Sequence, residues 1–305
     1  MRLSPLVALS VVSLLAAPAF AEDKPIKPAK PGDKQVGPDD PDREKPVGGA
    51  PVPGEAPPQE EYQSPQHFAL ELKAGPYVPG IDSTPGLTGL PFSELFNNQY
   101  DSNKLGQPPA AKPQFTVEFD YQFLRKGGSL GLAASAGFYR RSTHAFEYSD
   151  PVAHTPCAPA AMTCKRSTDE TALTIFPLTL ELVYRFDVLA KRYKIPIVPY
   201  LKGGIAYYFW FVQKGDSSLS QSLPDASGNT SKAIGGTLGW VAHPGVALLL
   251  DVFDPSAART MDADLGINHT YLFAELNYAN ITGLGFKDKM VFSDTTWNVG
   301  VAFEF

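Results

Sequence analysis

The chain lacks several features that would assign it to other classes of protein. Its 305 residues include only two cysteines and, after the first 21 residues, no apolar run long enough for a membrane-spanning helix. Charged residues make up only 19% of the chain, the formal net charge is -6, and no basic stripe with interleaved aromatic residues occurs. A nucleophile elbow, a phosphate-binding loop and a metal-ligand motif are also missing. We therefore expect no membrane-spanning helix, no nucleic-acid partner, no metal and no cofactor.

The first 21 residues have the features of an export signal. Arg2 supplies a short positive region, residues 6–17 form the apolar run, and Ala19-Phe20-Ala21 is a small-x-small cleavage site. The run is too short to span a membrane, and no cysteine follows the cleavage site to receive a lipid anchor. We expect residues 1–21 to be a signal peptide, so that the mature chain begins near Glu22.

Residues 22–66 have a different composition from the rest of the chain. Prolines recur every few residues, charges of both signs alternate, and there is almost nothing to bury. Such a segment cannot offset its ordering entropy, so we expect a disordered, proline-rich periplasmic linker. It is either a tether that reaches the cell wall or an inner-membrane partner, or a passive linker.

The final segment, residues 294–305, alternates like a β-strand with one apolar face. The apolar positions are Trp297, Val299, Val301, Phe303 and Phe305. This segment resembles the closing strand of bacterial outer-membrane β-barrels, where a C-terminal Phe preceded by alternating apolar residues is read by the outer-membrane assembly machinery. The resemblance implies that Trp297, Phe303 and Phe305 form an assembly signal.

Seven further segments alternate in the same way, which predicts about eight strands, the smallest usual size of a membrane barrel. They are residues 67–77, 114–124, 130–139, 171–186, 198–212, 233–250 and 271–279. In residues 233–250, His243-Pro244-Gly245 predicts a β-bulge. Residues 254–266 predict a short periplasmic helix, with Asp254 as the N-cap, Pro255 in the first turn and Gly266 as the stop; Met261 and Leu265 share one face.

Alternation alone does not show which face of a barrel is wet, since a lipocalin-like soluble barrel also alternates. Two patterns favour a membrane barrel. Long connections (78–113, 140–170, 213–232 and 280–293) alternate with short ones, as external loops and periplasmic turns do. Aromatic residues also collect toward the strand ends, as in interfacial belts. One rim holds Tyr121, Phe123, Tyr184, Phe186, Phe303 and Phe305, and the other holds Phe115, Phe138, Phe209 and Phe211.

Residues 249–285 are also similar to a group of outer-membrane barrels from myxobacteria and related lineages that have no established activity. This resemblance implies the fold and the location in the outer membrane. It transfers no functional residues.

With the apolar faces on lipid, nine charged side chains point into the lumen. They are Glu71, Lys73, Glu118, Asp120, Glu181, Arg185, Lys202, Glu275 and Glu304. An eight-stranded interior is just wide enough for side chains to fill it, and charges there must pair or be hydrated. We expect an internal salt-bridge network that plugs the barrel; the alternative is a narrow polar channel that prefers cations.

Cys157 and Cys164 lie close together in the second long connection, and an even number of cysteines in an exported protein predicts a disulfide. A lipid-modifying enzyme is a third hypothesis, for which His144 is the residue to replace. Ser142, His144 and Glu147 form a triad only by free choice among loop residues, so we predict no catalytic residue.

The sequence thus predicts an all-β protein of residues 67–305, an eight-stranded antiparallel up-and-down barrel in the outer membrane. We expect a monomer without enzymatic activity, a structural or surface-interaction protein that displays external loops. Its expected partners are outer-membrane lipids and lipopolysaccharide, the assembly machinery, and the cell wall through residues 22–66.

Overall fold

The computed structural model describes residues 67–87, 91–96, 109–125, 127–147, 166–193, 195–221, 228–286 and 289–305. The predicted signal peptide, the predicted linker and both cysteines lie outside these residues, so the predictions about them stay predictions. Within the described ranges, no helix has the length and apolar content needed to cross a membrane.

Eight strands form a closed antiparallel barrel in which each strand pairs with its neighbours in chain order and β8 pairs with β1. The strands are β1 (Phe68–Tyr77), β2 (Lys112–Leu124), β3 (Ser129–Phe146), β4 (Arg166–Arg185), β5 (Ile197–Lys214), β6 (Ile234–Leu249), β7 (His269–Asn280) and β8 (Asp294–Glu304). The predicted fold class is confirmed. Because every strand has two neighbours, the barrel has no open edge within its wall.

The last strand closes the barrel. Residues 69–74 of β1 pair with residues 299–304 of β8, and the whole length of β8 pairs with β7. Phe305 extends this seam, because its backbone N–H donates to the carbonyl of Phe68 at 2.8 Å and its carbonyl accepts from His67 at 2.7 Å. The end that holds His67 and Phe305 is called the turn end, and the opposite one the loop end.

Among the described residues, three helices and one 3₁₀ turn lie in the connections. The helices are α1 (Pro91–Phe96), α2 (Val188–Tyr193) and α3 (Pro255–Leu265), and the 3₁₀ turn is Ile81–Ser83. Only α3 was predicted. The Asp254 carboxylate accepts from the backbone N–H groups of Ser256 and Ala257, and Gly266 ends the helix in the left-handed conformation. No residue of α3 is buried, so its predicted face of Met261 and Leu265 does not fill the barrel end.

The predicted bulge at His243-Pro244-Gly245 is wrong. β5 and β6 pair without a register shift through these residues, and β6 and β7 resume the same register after two unpaired positions. Proline has no N–H to donate, so the ladder skips two residue pairs without adding a residue. Gly245 is needed for a steric reason and not for a bulge, since a Cβ there would overlap the ring of Tyr200.

The second long connection is shorter than predicted. β3 continues to Phe146 and β4 begins at Arg166, so residues 140–146 and 166–170 are strand, with a register shift between His144 and Phe146. These residues alternate only weakly in polarity, and the pairing of the two strands with each other stabilises them instead. The result is a β-hairpin, residues 139–147 and 166–175, that continues past the loop end of the barrel.

Candidate functional site

The outer surface of the barrel forms an apolar band. Outward side chains such as Val117, Leu182 and Ile205 are half exposed, whereas the side chains between them are mostly buried. Along β4 the band runs from Phe176 to Phe186, the residue that follows the strand, which is about 33 Å along the chain and about 25 Å at the usual tilt of membrane barrels. Its height equals that of the apolar band of outer-membrane barrels.

Aromatic side chains border the band at both ends. At the loop end, the ring centroids of Phe138 and Phe176 are 5.6 Å apart and those of Trp240 and Tyr278 are 5.2 Å apart. At the turn end, Phe68 stacks on Phe119 at 5.3 Å, and Tyr184 meets Phe186 edge-on at 4.7 Å. Such rims favour the two interfaces of a membrane.

The structure places all nine predicted luminal charges inside the barrel, where each is buried. Seven of them form one ion-pair network, which we call the charged layer together with Glu181, Glu304 and His243. Its centre is Lys202, which pairs with Glu71, with Glu118 at 2.6 Å and with Glu275 at 3.8 Å. Lys73 lies beside it, 2.7 Å from Glu118 and 3.0 Å from Glu275.

Arg185 extends the network toward the turn end. Its guanidinium pairs with Asp120 through Nη1 and with Glu71 through Nη2, the latter at 2.8 Å. Charges from four different strands therefore meet through Glu71. One carboxylate oxygen of Asp120, Oδ1, is buried with no hydrogen-bond partner among the described residues.

Glu304 is bound by neutral groups. It accepts from the Gln122 side-chain amide at 2.8 Å and from the Tyr271 hydroxyl at 3.1 Å. The hydrogen bonds from Gln122 and Tyr271 thus compensate for the burial of this carboxylate, because a buried charge needs polar partners.

His243 is a luminal residue that the sequence analysis missed. Its Nδ1 lies 2.9 Å from Glu181 Oε2, and its Nε2 lies 2.9 Å from Asn277 Oδ1. Asn277 stands opposite His243 where Pro244 interrupts the β6–β7 ladder, so the side-chain contact joins the strands at that gap. The signal was its alternation with Val241 on the inward face, which the predicted bulge obscured.

A second group of side chains closes the lumen at the loop end, and we call it the loop-end cluster. It comprises Tyr77, Ile81, Phe92, Tyr139, Leu173, Ile175, Ala206, Tyr208, Val241, Ala279, Ile281 and Phe292. Four of these, Ile81, Phe92, Ile281 and Phe292, come from the first and fourth long connections. The described parts of those connections therefore fold into the barrel mouth, whereas the sequence analysis expected displayed loops.

Arg141 and Asp82 hold the first of these connections in place. Arg141 donates to the carbonyls of Ala110 at 2.6 Å and Phe96 at 3.3 Å, and its guanidinium lies 5.6 Å from the Phe96 ring. Asp82 accepts from the backbone N–H groups of Phe92 and Ser93 at the start of α1. The tyrosine hydroxyl of Tyr77 binds the Phe292 carbonyl at 2.8 Å and so fixes the fourth connection.

Little empty space remains inside. A small cavity at the turn end, with room for about one water molecule, is lined by groups that include Glu71, Arg185, Tyr200, Tyr271 and Glu304. Further in, Lys202, Glu118, Tyr139, Ile281 and Phe292 have no exposed surface. The described side chains therefore fill the interior from the charged layer to the loop-end cluster.

Other histidines have structural contacts. His269 Nδ1 lies 2.6 Å from Asp251 Oδ2 beside the turn before α3, and His144 stands opposite Glu170 in the hairpin. Among the described residues, no group of three or more His, Cys, Asp or Glu side chains is arranged to hold a metal ion.

An apolar outer band, two aromatic rims and a charged interior are the inverse of a soluble barrel, because the apolar side faces outward. The protein is therefore an eight-stranded transmembrane β-barrel of the bacterial outer membrane, which confirms the predicted class and location.

No protein-family model and no curated protein matches the sequence. Solved structures with a similar fold include three outer-membrane proteins. Ail, the attachment invasion locus protein of Yersinia pestis, is 10% identical, with 79% of this chain and 97% of that chain covered and a TM-score of 0.36. Neisserial surface protein A is 13% identical, with 78% and 97% covered and a TM-score of 0.37. OprG from Pseudomonas aeruginosa is 14% identical, with 80% and 97% covered and a TM-score of 0.36. At these values the similarities carry no argument about function.

Proposed function

We propose that the protein is a non-enzymatic, closed outer-membrane barrel that serves as a scaffold for a projecting surface hairpin. The observation that carries the proposal is the filled interior: the charged layer and the loop-end cluster block the lumen one above the other. A barrel that is closed twice has no water path between the described side chains.

One part that remains available outside, among the described residues, is the β3–β4 hairpin. β3 has 18 residues and β4 has 20, which makes β4 the longest strand of the barrel. From Phe138 in the loop-end rim to Phe146, the hairpin extends about 27 Å along the strand. Arg166 stiffens it, because its guanidinium donates to Thr143 at 2.7 Å and lies 4.7 Å from the Phe146 ring. A rigid projecting hairpin suits contact with molecules outside the cell.

A second candidate is a narrow cation-preferring channel. It is favoured by the composition of the charged layer, where six carboxylates face three Lys and Arg side chains. This excess of negative charge would attract cations if water entered the lumen. The two candidates differ in one measurable property, which is ion conductance.

The test is single-channel recording of the full-length protein, purified from outer membranes, in a planar bilayer. A heat-dependent gel shift of the same preparation serves as the control for folding. The scaffold predicts no conductance steps from folded protein. Stable, cation-selective steps would contradict it and support the channel.

The display of the hairpin has its own test. Trypsin added to intact cells is expected to cut at Arg166, and peptide mapping by mass spectrometry identifies the cut. The matched site is Arg259 of α3, which is exposed at the turn end and should stay intact until the cells are lysed. Equal cleavage at Arg259 in intact cells would contradict the orientation.

The assembly signal remains a proposal that rests on β8. Trp297 is half exposed on the outer face and Phe305 joins β8 to β1 through its backbone. Deletion of Phe305 is expected to lower the amount of barrel in the outer membrane. The heat-modifiable band in membrane fractions measures that amount, and an unchanged band would argue against the signal.

A further inference from the structure

The outward face of the strands carries almost no charge, and its first charged residue stands at the border of the apolar band. That residue is Arg140, which is exposed on β3 two residues beyond Phe138 of the loop-end rim. The outward residues that end the other strands at the loop end are uncharged: Pro76, Pro113, Gln213, Ile234, Asn280 and Thr295. The next outward charge on the hairpin, Glu170, is in register with His144, four residues further from the membrane.

Arg140 is held against the barrel wall. Its Nη1 donates to the side-chain carbonyl of Gln213 at 3.4 Å across β4, and Gln213 Nε2 in turn donates to the Ser217 carbonyl at 3.3 Å. Between them, Thr174 and Ala172 of β4 are buried although they lie in outward register. The Arg140–Gln213 bridge therefore lies along the wall, and the other N–H groups of the guanidinium have no described side-chain partner.

An aromatic cluster lies directly below this bridge. Phe176 is at its centre, with ring centroids 5.6 Å from Phe138, 6.5 Å from Phe209 and 6.1 Å from Phe211. Aromatic rings of this kind mark the boundary between acyl chains and headgroups. Two residues along a tilted strand raise Arg140 about 5 Å above Phe138, which is the depth of the headgroup region.

We propose that Arg140 binds a phosphate group of lipid A in the outer leaflet, while the Phe138, Phe176, Phe209 and Phe211 cluster contacts the acyl chains of the same lipid. A guanidinium suits this role because its planar N–H groups bind phosphate oxygens in pairs. The chemistry and the position agree: the cation lies at the headgroup level of the leaflet from which the hairpin projects. The site is independent of whether the lumen conducts.

The test is native mass spectrometry of the full-length protein in detergent, titrated with bisphosphoryl lipid A and with the same lipid after its phosphates have been removed. The unmodified protein is expected to bind the bisphosphoryl form about tenfold more tightly, as hydrogen bonds to a charged group allow. Arg140→Gln should lose this preference and still bind the acyl chains. Arg140→Lys, which keeps the charge without the planar donors, should retain part of it.

Arg259→Gln is the matched control, because it removes an exposed arginine at the turn end, on the other side of the membrane. It should leave the preference unchanged. Retention of the full preference in Arg140→Gln, or its loss in Arg259→Gln, would overturn the proposal. Binding of phosphatidylglycerol as tightly as bisphosphoryl lipid A would overturn the assignment to lipid A.

Discussion

Lys202 lies among carboxylates from β1, β2 and β7, whereas Phe292, at the other end of the same interior, packs against Tyr208 and Trp210. Both regions exclude water, but they do so by different means. In the charged layer, the strands themselves supply each partner, and closing the barrel fixes their spacing. In the loop-end cluster, long connections return to fill a space that the strands leave open. The lumen is therefore closed in two ways, by charged side chains of the strands themselves and by apolar side chains of the long connections.

Replacement of Lys202 should have the largest effect on stability, because Lys202 is the centre of the charged layer. Lys202→Met removes the cation shared by Glu71, Glu118 and Glu275 and leaves buried carboxylates without that partner. We expect a loss of about 3–5 kcal/mol in the free energy of unfolding. Urea titration in lipid vesicles, followed by the heat-modifiable gel shift, measures it. The control Lys214→Met changes an exposed lysine and should shift stability by less than about 0.5 kcal/mol. Equal losses in the two variants would show that the ion-pair network does not contribute to the free energy of unfolding.

Truncation of Phe292 should disrupt the loop-end cluster. Phe292→Ala leaves a cavity among Tyr77, Tyr208 and Trp210, for which we expect a loss of about 2–4 kcal/mol, reduced where the loop relaxes. The same titration measures it.

The two substitutions, alone and combined, show whether the charged layer and the loop-end cluster each block the passage of ions. Phe292→Ala alone should remain silent in a planar bilayer, since the charged layer still blocks the lumen. Phe292→Ala combined with Lys202→Met should produce conductance steps. Steps from Phe292→Ala alone would show that the loop-end cluster is the sole barrier.

Two adjacent arginines allow the inner and outer faces of the barrel to be compared directly, since Arg141 points inward and Arg140 points outward. Arg141→Ala removes the donor to the carbonyls of Ala110 and Phe96 and the cation over the Phe96 ring, so we expect a loss of about 1–3 kcal/mol. Arg140→Ala, one residue away on the outer face, should change stability little because its charge is exposed. Protease digestion of the folded barrel in vesicles should show faster cleavage of residues 78–111 only in Arg141→Ala. Equal rates in both variants would mean that Arg141 does not hold the first connection.

The smallest effect is expected at α3, which lies outside both regions of the interior. The backbone N–H of Ala257 and the side chain of Ser256 hold the pKa of Asp254 below its ordinary value. A lowered folded-state pKa means that the cap stabilises the helix above the ordinary pKa of an aspartate, roughly 4, and that this contribution is lost as the pH falls through the lowered value. The protection of the Ala257 amide, measured as the ratio of its intrinsic to its observed exchange rate, should therefore fall on acidification. Asp254→Ala should remove this pH dependence and leave the gel shift of the barrel unchanged; an altered gel shift would show that α3 supports the barrel.

Alternation predicted the wall well because every strand buries one face and exposes the other to lipid. The period of two assigned Glu118 and Asp120 to the lumen and Val117 and Phe119 to the outside without knowledge of the partner strands. It failed at His243, where a proline suggested a bulge although the ladder simply skips two residue pairs. It also failed at residues 140–146 and 166–170, whose strand conformation comes from pairing with each other and not from an apolar face.

The sequence by itself determined the eight strands, the apolar outer band and the identity of the luminal charges, since each follows from residues a few positions apart. The tertiary structure decided which charges meet, that Glu71 joins Lys202 to Arg185, and that Ile81, Phe92, Ile281 and Phe292 fill the barrel mouth. Those contacts join residues far apart in the chain. Their partners are set by the register around the closed barrel and by the space inside it, and no local pattern encodes either of these.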